Sequence, residues 1–355
     1  MSQTPSIPQL EGRLPSLDGW RAISIGLVLF AHSRVSPAWH DLAFYCGSLG
    51  VRFFFVISGF LITWLLLREG TRRNEVSLIN FYARRVIRIF PVYYVYLGTC
   101  WLLDAAGLLN AGPQWQQWFN FFFLANYGPC EGVTGVLWSL GVEEQFYLVW
   151  PVVFTLFHFF LKKKAALAAL ATVIALAPLM RAVGLLNGLS ESTHFLFHRF
   201  SFIFQMDILA WGCAGAVIAW NWPGVTKFIV RHTVPVFVFS TILIVLPYAA
   251  RGIDGLGIET VFGPSLQACG FILLILASTA KPEFLPFRPL NTGPIVWLGV
   301  ISYSLYLWHS LFTSDLLSNC GVPQDLWIFI SIAVAAASYH LLESPLLRLR
   351  KSYRS

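Results

Sequence analysis

Two side chains in the first apolar stretch, LDGWRAISIGLVLFAHS (residues 17–33), could bind an anion and move a proton. Arg21 carries a fixed positive charge, and His32 carries a ring that titrates near neutral pH. They stand eleven positions apart, which in an α-helix amounts to about three turns plus 20°. Both side chains are therefore predicted on one helix face, roughly 16–17 Å apart along the axis.

This spacing suits a ligand with an anionic head at the inner membrane surface and a long thin arm, which describes an acyl-CoA. There are plainer explanations for each residue. Arg21 could extend its charge to the lipid interface, as arginines at span ends do, and that alternative stays open. His32 could be a core histidine bonded to another helix. Because ionisable groups deep in a membrane are costly and usually functional, the pattern favours a catalytic His32.

A basic cluster stands at the start of the third apolar stretch, in RRVIRIFPVYY (residues 84–94). Arg85 and Arg88 are one turn apart and share a helix face. Guanidinium groups bind phosphate bidentately, so the pair could hold the phosphates of a nucleotide diphosphate. The same cluster would also serve lipid head groups and topology, and taken alone it is better explained in that way.

Adjacent carboxylates occur in LWSLGVEEQFYLVW (residues 137–150). Neighbours on a helix point about 100° apart, so only one of Glu143 and Glu144 can face His32. A carboxylate bonded to an imidazole N–H fixes the tautomer and supports the ring as a base. We therefore expect both acids in the catalytic site, with Glu143 orienting His32 and Glu144 free to pair with an arginine. An interhelical hydrogen bond would explain one glutamate, but less easily two.

Three further residues are expected near the acceptor substrate. Because successive spans alternate in direction, Arg52 and His309 fall at a depth similar to that of His32 and Glu143. In ISYSLYLWHSLF (residues 301–312) Tyr306 lies one turn before His309 and shares its face. The acceptor-site candidates are thus Arg52, His309 and Tyr306. An aromatic belt at the membrane interface would explain the tyrosine, but not the histidine.

Composition indicates which elements position these residues. The 355 residues are 57% hydrophobic and only 12% charged, about half the charge of a soluble domain. Apolar runs of about 20 residues are typical of transmembrane helices. We therefore predict an all-α, polytopic integral membrane protein with about ten transmembrane helices. The predicted spans are residues 17–35, 47–67, 86–106, 136–160, 165–186, 200–220, 228–249, 260–280, 293–313 and 324–345.

The basic residues set the orientation. With the N-terminus inside, all but five of the 24 Lys and Arg residues fall in inner segments, as the positive-inside rule requires. Both termini are therefore predicted to be cytoplasmic. The net charge of +7 is distributed over every inner loop and not over one face, which excludes nucleic acid as a partner. The five exceptions are Arg34, Arg52, Arg181, Arg199 and Arg251.

The chain is predicted to contain one domain. Residues 17–345 form a single membrane domain, between an N-terminal cytoplasmic tail (1–16) and a basic C-terminal tail (346–355). No cleavable signal is evident, because no basic segment precedes the first apolar run. The six cysteines form no CxxC pair and give no metal signature. The long outer connection, from about 104 to 135, is aromatic and lacks Lys and Arg, so it should lie at the interface or cover an opening.

These motifs, in this order, resemble the membrane acyltransferase type 3 family. LDGWRAISIGLVLFAHS is similar to its first-span signature, FFFVISGFLIT to its second-span motif and RRVIRIFPVYY to its Arg-x-x-Arg motif. LWSLGVEEQFYLVWP is similar to its Glu-Glu-Gln block and ISYSLYLWHSLF to its late histidine block. The resemblance implies His32 as the catalytic histidine with Arg21 as its partner. It also implies Arg85 and Arg88 as donor-binding arginines, with Glu143 and Glu144 as the paired acids.

The residues and the resemblance together predict an acetyl-CoA-dependent O-acetyltransferase of a bacterial inner membrane. It would move an acyl group from cytoplasmic acyl-CoA, its co-substrate, to a hydroxyl of a carbohydrate or cell-surface glycan, with no bound cofactor and no metal. His32 would act as a general base or carry the acyl group itself, and the residues do not choose between these. A proton-coupled transporter is the alternative, although the sequence lacks the internal repeats that transporters often have. A non-catalytic scaffold is a third reading.

Overall fold

The computed structural model describes residues 14–33, 37–128, 130–160, 163–186, 200–250 and 257–349, and among these it contains helices and no strand. A π-helix covers Tyr339–Glu343. In chain order the α-helices are α1 (Leu17–His32), α2 (His40–Arg73), α3 (Leu78–Ala105), α4 (Gln114–Phe121), α5 (Trp138–Phe160), α6 (Lys163–Leu186), α7 (Phe202–Asn221), α8 (Pro223–Arg231), α9 (Thr233–Ala250), α10 (Ile258–Ala280), α11 (Gly293–Val300), α12 (Ser302–Thr313), α13 (Leu316–Asn319), α14 (Trp327–Ser338) and α15 (Ser344–Leu349).

The prediction of an all-α, polytopic membrane protein is confirmed. Among the described residues, 7 helical segments are long and apolar enough to cross a membrane, or 8 if α11 and α12, which break at Ile301, form one span. The seven are α2, α3, α6, α7, α9, α10 and the segment Gln324–Arg348. Helices α1 and α5 are not among them, so ten spans stays a prediction. The tails at 1–13 and 350–355 lie outside the described residues, as do Arg34, Arg199 and Arg251.

The chain forms two compact units. The first contains Met1–Ser24, Ser48–Val76 and Gln145–Gly299, and the second contains Ile25–Gly47, Ser77–Glu144 and Val300–Ser355. Helices α1, α2 and α5 each contribute residues to both units. The division places the N-terminal half of α1, with Arg21, in the first unit, and its C-terminal half, with His32, in the second.

In the first unit, α7 packs against α6 and α10, and α9 packs against α10. Gly59 on α2 and Gly212 on α7 allow two backbones to touch. A Cβ at Gly59 would overlap the carbonyl oxygen of Leu209, and a Cβ at Gly212 would overlap that of Val56. Gly59 and Gly212 are therefore packing residues, because small residues permit this close approach in membrane helices.

A buried ion pair joins three helices of the first unit. Arg181 on α6 donates from Nη2 to Asp207 Oδ2 on α7 at 2.7 Å, and its Nε donates to the Val261 carbonyl at 2.9 Å. Ser265 on α10 also donates to Asp207. Burying two charges is tolerated only when both are paired and hydrogen-bonded, and here both are. The sequence placed Arg181 in the outer half of the predicted span 165–186, and the structure places it within α6, where it is buried.

Hydrogen bonds also close the first unit between distant positions. The Ser16 backbone N–H donates to Asn291 Oδ1 at 2.8 Å, and Asn291 Nδ2 donates to Ser16 Oγ at 3.0 Å. One turn into α1, Trp20 Nε1 donates to Ser278 Oγ at 2.8 Å. These bonds hold the N-terminal end of α1 against residues that lie 275 and 258 positions later in the chain.

In the second unit, α12 packs against α14 and α3. The long connection predicted after α3 is held in place by hydrogen bonds between buried polar groups. Thr134 Oγ1 donates to the Ala111 carbonyl at 2.8 Å and accepts from Asn120 Nδ2 at 2.9 Å and from Gln116 Nε2 at 3.1 Å. Tyr96 OH donates to the Val133 carbonyl at 3.0 Å. The connection is therefore a folded cap on α3, with helix α4 inside it.

All six cysteines are free thiols. Cys130 lies in the connection between α4 and α5, where burial raises the pKa of its thiol to about 12. Its Sγ also donates weakly to the Ala125 and Gly128 carbonyls, at 3.5 Å each. Because the thiolate is the reactive form, Cys130 is an inert structural thiol at neutral pH.

Candidate active site

Two histidines meet in the second unit. His32 is the last residue of α1 and His309 lies in the middle of α12. Their ring centroids are 4.9 Å apart and the rings are inclined at 72°, an edge-to-face contact. The sequence predicted that these residues would lie at similar depth, and the structure places them in direct contact.

Each ring has its tautomer fixed by a hydrogen bond to a backbone carbonyl of its own helix. His32 Nδ1 lies 2.9 Å from the Val28 carbonyl oxygen, and His309 Nδ1 lies 3.2 Å from the Leu305 carbonyl oxygen. Each carbonyl is four residues earlier in the same helix and can only accept, so each Nδ1 carries the proton in this arrangement. Each Nε2 therefore keeps its lone pair and is the basic atom of its ring.

The two rings differ in access. His32 is exposed, whereas His309 has an exposed fraction of 0%. Among the described residues and contacts, His309 Nε2 has no hydrogen-bond partner. A substrate can thus reach His32, while His309 lies behind it with a buried, unpaired lone pair.

The paired acids and the paired arginines also belong to the second unit. Arg85 on α3 interacts electrostatically with Glu144 on α5, and so does Glu143. The guanidinium carbon of Arg85 also lies 5.7 Å from the centroid of the Phe81 ring, a cation–π contact. The sequence expectation that one of the two glutamates would pair with an arginine therefore agrees with the position of Glu144.

Tyr303 brings Arg88 into the same region. Its hydroxyl group donates to the Ile89 carbonyl at 3.0 Å. The same group is within electrostatic range of Glu144, Glu343 and Arg88. Glu343 is buried at the end of the π-helix and accepts a hydrogen bond from Ser304 on α12. Helices α3 and α5 and the π-helix thus contribute charges to one cluster, and α12 contributes the hydroxyl groups of Tyr303 and Ser304.

The sequence assigned Tyr306 to the acceptor site, and in the structure its hydroxyl has two partners. It donates to the Val136 carbonyl at 2.8 Å and lies 2.6 Å from Ser139 Oγ. Ser139 is one turn before Glu143 on α5, so the bond fixes the start of the helix that carries both acids. The Tyr306 ring lies 5.7 Å from the His309 ring, centroid to centroid.

Arg21 and Arg52 belong to the first unit. Arg21 Nη1 lies 3.9 Å from Asp18 Oδ1, a long ion pair, and its buried Nε has no partner among the described residues. Arg52 on α2 donates from Nη1 to Gln267 Oε1 on α10. Arg21 therefore has one buried donor without a partner among the described residues, whereas Arg52 has a partner within its own unit.

Some functional features were missed by sequence reasoning. Glu343 and Tyr303 were given no role. The sequence did not identify the partner of His32 Nδ1, which is the Val28 carbonyl; the role of Glu143 in orienting His32 stays a prediction. A histidine four residues after any helical carbonyl can make this bond, so the helix itself was the available signal. Among the described residues, no three His, Cys, Asp or Glu side chains are arranged to hold a metal ion.

Comparison with known families agrees with these features. A family model described as an acyltransferase domain matches residues 14–339. The chain belongs to the acyltransferase type 3 family. The match contains every candidate site residue named from the sequence. No solved structure matches the chain.

Other members of the acyltransferase type 3 family are similar over nearly the whole chain. YrhL of Bacillus subtilis (strain 168) is 27% identical, and the alignment covers 94% of this chain and 55% of YrhL. "O-acetyltransferase OatA" of Staphylococcus aureus (strain NCTC 8325) is also 27% identical, covering 94% and 57%. "Peptidoglycan O-acetyltransferase OatA" of Listeria monocytogenes is 23% identical, covering 94% and 56%. The chain thus spans little more than half the length of these relatives.

Proposed function

We propose that this chain is a membrane O-acetyltransferase of the bacterial plasma membrane, which moves an acetyl group from cytoplasmic acetyl-CoA to a hydroxyl of a cell-wall glycan. The observation that carries the proposal is the exposed His32 ring with its basic Nε2 atom, in a chain of an acyltransferase family. The O-acetyltransferase names of the relatives support acetyl as the group, and the Listeria relative's name supports peptidoglycan as the acceptor class.

The donor would enter from the basic, cytoplasmic side. Arg85 and Arg88 are one turn apart on α3, and guanidinium pairs suit the phosphates of CoA. By its charge, Arg21 is a further candidate for the donor phosphates.

His32 would act as the general base. Its Nε2 lone pair takes the proton from the acceptor hydroxyl while the hydroxyl oxygen bonds to the acyl carbon. The C–S bond then breaks, and the proton passes from Nε2 to the departing thiolate. The products are the acetyl ester and CoA thiol, so the histidine returns to its starting state. The Val28 carbonyl holds the Nδ1 proton and keeps Nε2 as the basic atom throughout.

The test uses the purified full chain in lipid nanodiscs, with labelled acetyl-CoA and a peptidoglycan-derived disaccharide as the acceptor. We expect acceptor-dependent thiol release and transfer of label to the sugar. His32→Ala should lower the turnover rate by at least about 100-fold, as expected for loss of a general base. His340→Ala is the matched control, because it removes an exposed histidine and should leave the rate unchanged.

Three outcomes would change the proposal. A His32→Ala variant that transfers acetyl within twofold of wild type would contradict the role of His32. Label bound covalently to the protein in the absence of acceptor would assign an acyl-histidine route in place of direct transfer. Proton-driven flux of an intact solute without thiol release would favour the transporter.

A further inference from the structure

A second histidine in the site has no role in the reaction as derived above. His309 is wholly buried and its Nε2 has no partner among the described contacts. A buried polar atom without a partner is costly, so such an atom calls for an explanation. Its ring contacts His32 edge to face at 4.9 Å.

The two rings differ in exposure, and this difference distinguishes their roles. Because His309 is 0% exposed, a substrate at the exposed His32 ring does not touch it. The sequence-based assignment of His309 to the acceptor site would require that contact. Any effect of His309 on the reaction must therefore pass through His32.

Proton transfer to His32 creates a positive charge that His309 can stabilise. When Nε2 takes the proton of the acceptor hydroxyl, the ring becomes an imidazolium cation. In serine hydrolases a carboxylate on Nδ1 stabilises that charge, but here a neutral carbonyl occupies Nδ1. The neighbouring neutral imidazole offers two electron-rich features to the cation, its ring face and its Nε2 lone pair.

We propose that His309 is a positioning residue that holds the His32 ring and stabilises its protonated form during acyl transfer. This inference rests on the proposed function. The acceptor proton moves to His32 Nε2 and from there to the thiolate, and His309 neither gains nor loses an atom. The Leu305 carbonyl and the Tyr306 ring hold His309 in turn, at 3.2 Å to Nδ1 and 5.7 Å between centroids.

Two substitutions separate this role from simple packing. Asn at position 309 can keep the donor to the Leu305 carbonyl, but it removes the lone pair at the Nε2 position. Gln at the same position can place a carbonyl oxygen near the Nε2 position. We expect His309→Asn to lower kcat by roughly 10- to 100-fold, less than loss of the base itself, with KM for acetyl-CoA within about twofold of wild type. His309→Gln should recover part of the loss.

The assay is the acceptor-dependent thiol release of the full chain in nanodiscs, with gel filtration to measure the folded fraction. His340→Asn makes the same chemical change at an exposed histidine and should match wild type. A His309→Asn variant with kcat within twofold of wild type would overturn the inference. So would equal losses in the Asn and Gln variants, with or without loss of folded protein, since that result assigns a packing role. An inactive wild-type protein would instead refute the proposed function.

Discussion

At the scale of single residues, a main-chain carbonyl fixes the tautomer of His32, a role that a carboxylate has in serine hydrolases. This carbonyl belongs to Val28. A helical carbonyl is neutral and needs no titration to do this. Glu144 lies within electrostatic range of Arg85 and of Glu143.

The proposed role of Arg85 in binding acetyl-CoA can be tested by substitution. Arg85→Gln removes a charged donor, and hydrogen bonds to charged groups contribute about 1.5–3 kcal/mol. We expect KM for acetyl-CoA to rise by about 10-fold or more, with a smaller change in kcat. Steady-state kinetics at fixed acceptor concentration measures both.

Arg73→Gln is the control, because it removes the same charge from an exposed position at the end of α2. Its KM should stay within twofold of wild type. If both variants raise KM equally, the cluster on α3 contributes only general positive charge, and the donor-binding role of Arg85 is wrong.

The sequence predicted which residues belong to the candidate site better than it predicted the contacts that they make. It singled out His32 and His309 because ionisable groups are rare in apolar runs, and it placed them at similar depth. It could not predict their edge-to-face geometry or the pairing of Arg181 with Asp207, because both depend on how α-helices far apart in sequence rotate about their axes. Arg52 was grouped with His309 on depth alone, whereas its partner is Gln267 of α10.

At the scale of elements, the glycines at the crossing of α2 and α7 decide how closely these helices approach. We expect Gly59→Ala to destabilise the protein by about 1–3 kcal/mol, as overpacking does, because the new Cβ would overlap the Leu209 carbonyl oxygen. The thermal unfolding of the purified protein, followed by gel filtration in detergent, measures the loss.

Gly98 on α3 is a matched control, since nothing lies within 4 Å of the position where its Cβ would be. Gly98→Ala should be at least as stable as wild type, because alanine is favoured over glycine inside a helix by about 0.5–1 kcal/mol. Equal unfolding temperatures for the two variants would show that the helix crossing tolerates a side chain.

Element boundaries were the least predictable part of the fold. Hydropathy placed the second span at 47–67, whereas α2 runs from His40 to Arg73. The third span was predicted from 86, whereas α3 begins at Leu78, after a capping bond from the Asn80 N–H to Ser77 Oγ at 3.3 Å. Capping and helical propensity extend both helices beyond their apolar runs, so Arg85 and Arg88 lie inside α3 and not at its start.

At the scale of the whole molecule, the orientation in the membrane stays a prediction from charge distribution. The residues between α2 and α3 (74–77) follow the basic end of α2 on the predicted inner side and include Glu75, whereas Cys320 follows α13 on the predicted outer side. Both positions are exposed. The positive-inside rule therefore predicts different access for thiol reagents at the two positions.

An impermeant maleimide added to intact spheroplasts should label Cys320. A cysteine introduced by Glu75→Cys should react only after the membrane is permeabilised, and peptide mass spectrometry can read each site separately. Labelling of the introduced cysteine in intact spheroplasts would show that this connection faces outward and that the predicted orientation is inverted.

The bonds between Ser16 and Asn291 also have a consequence for synthesis. The two residues are 275 positions apart, and a ribosome adds about 5–20 residues per second. Roughly 14–55 s therefore pass between translation of the first helix and translation of the asparagine that holds its end. During this interval the N-terminal end of α1 lacks that contact, although Arg21 has already been made. The hydrogen bonds between Ser16 and Asn291 can therefore form only as a late step in biogenesis.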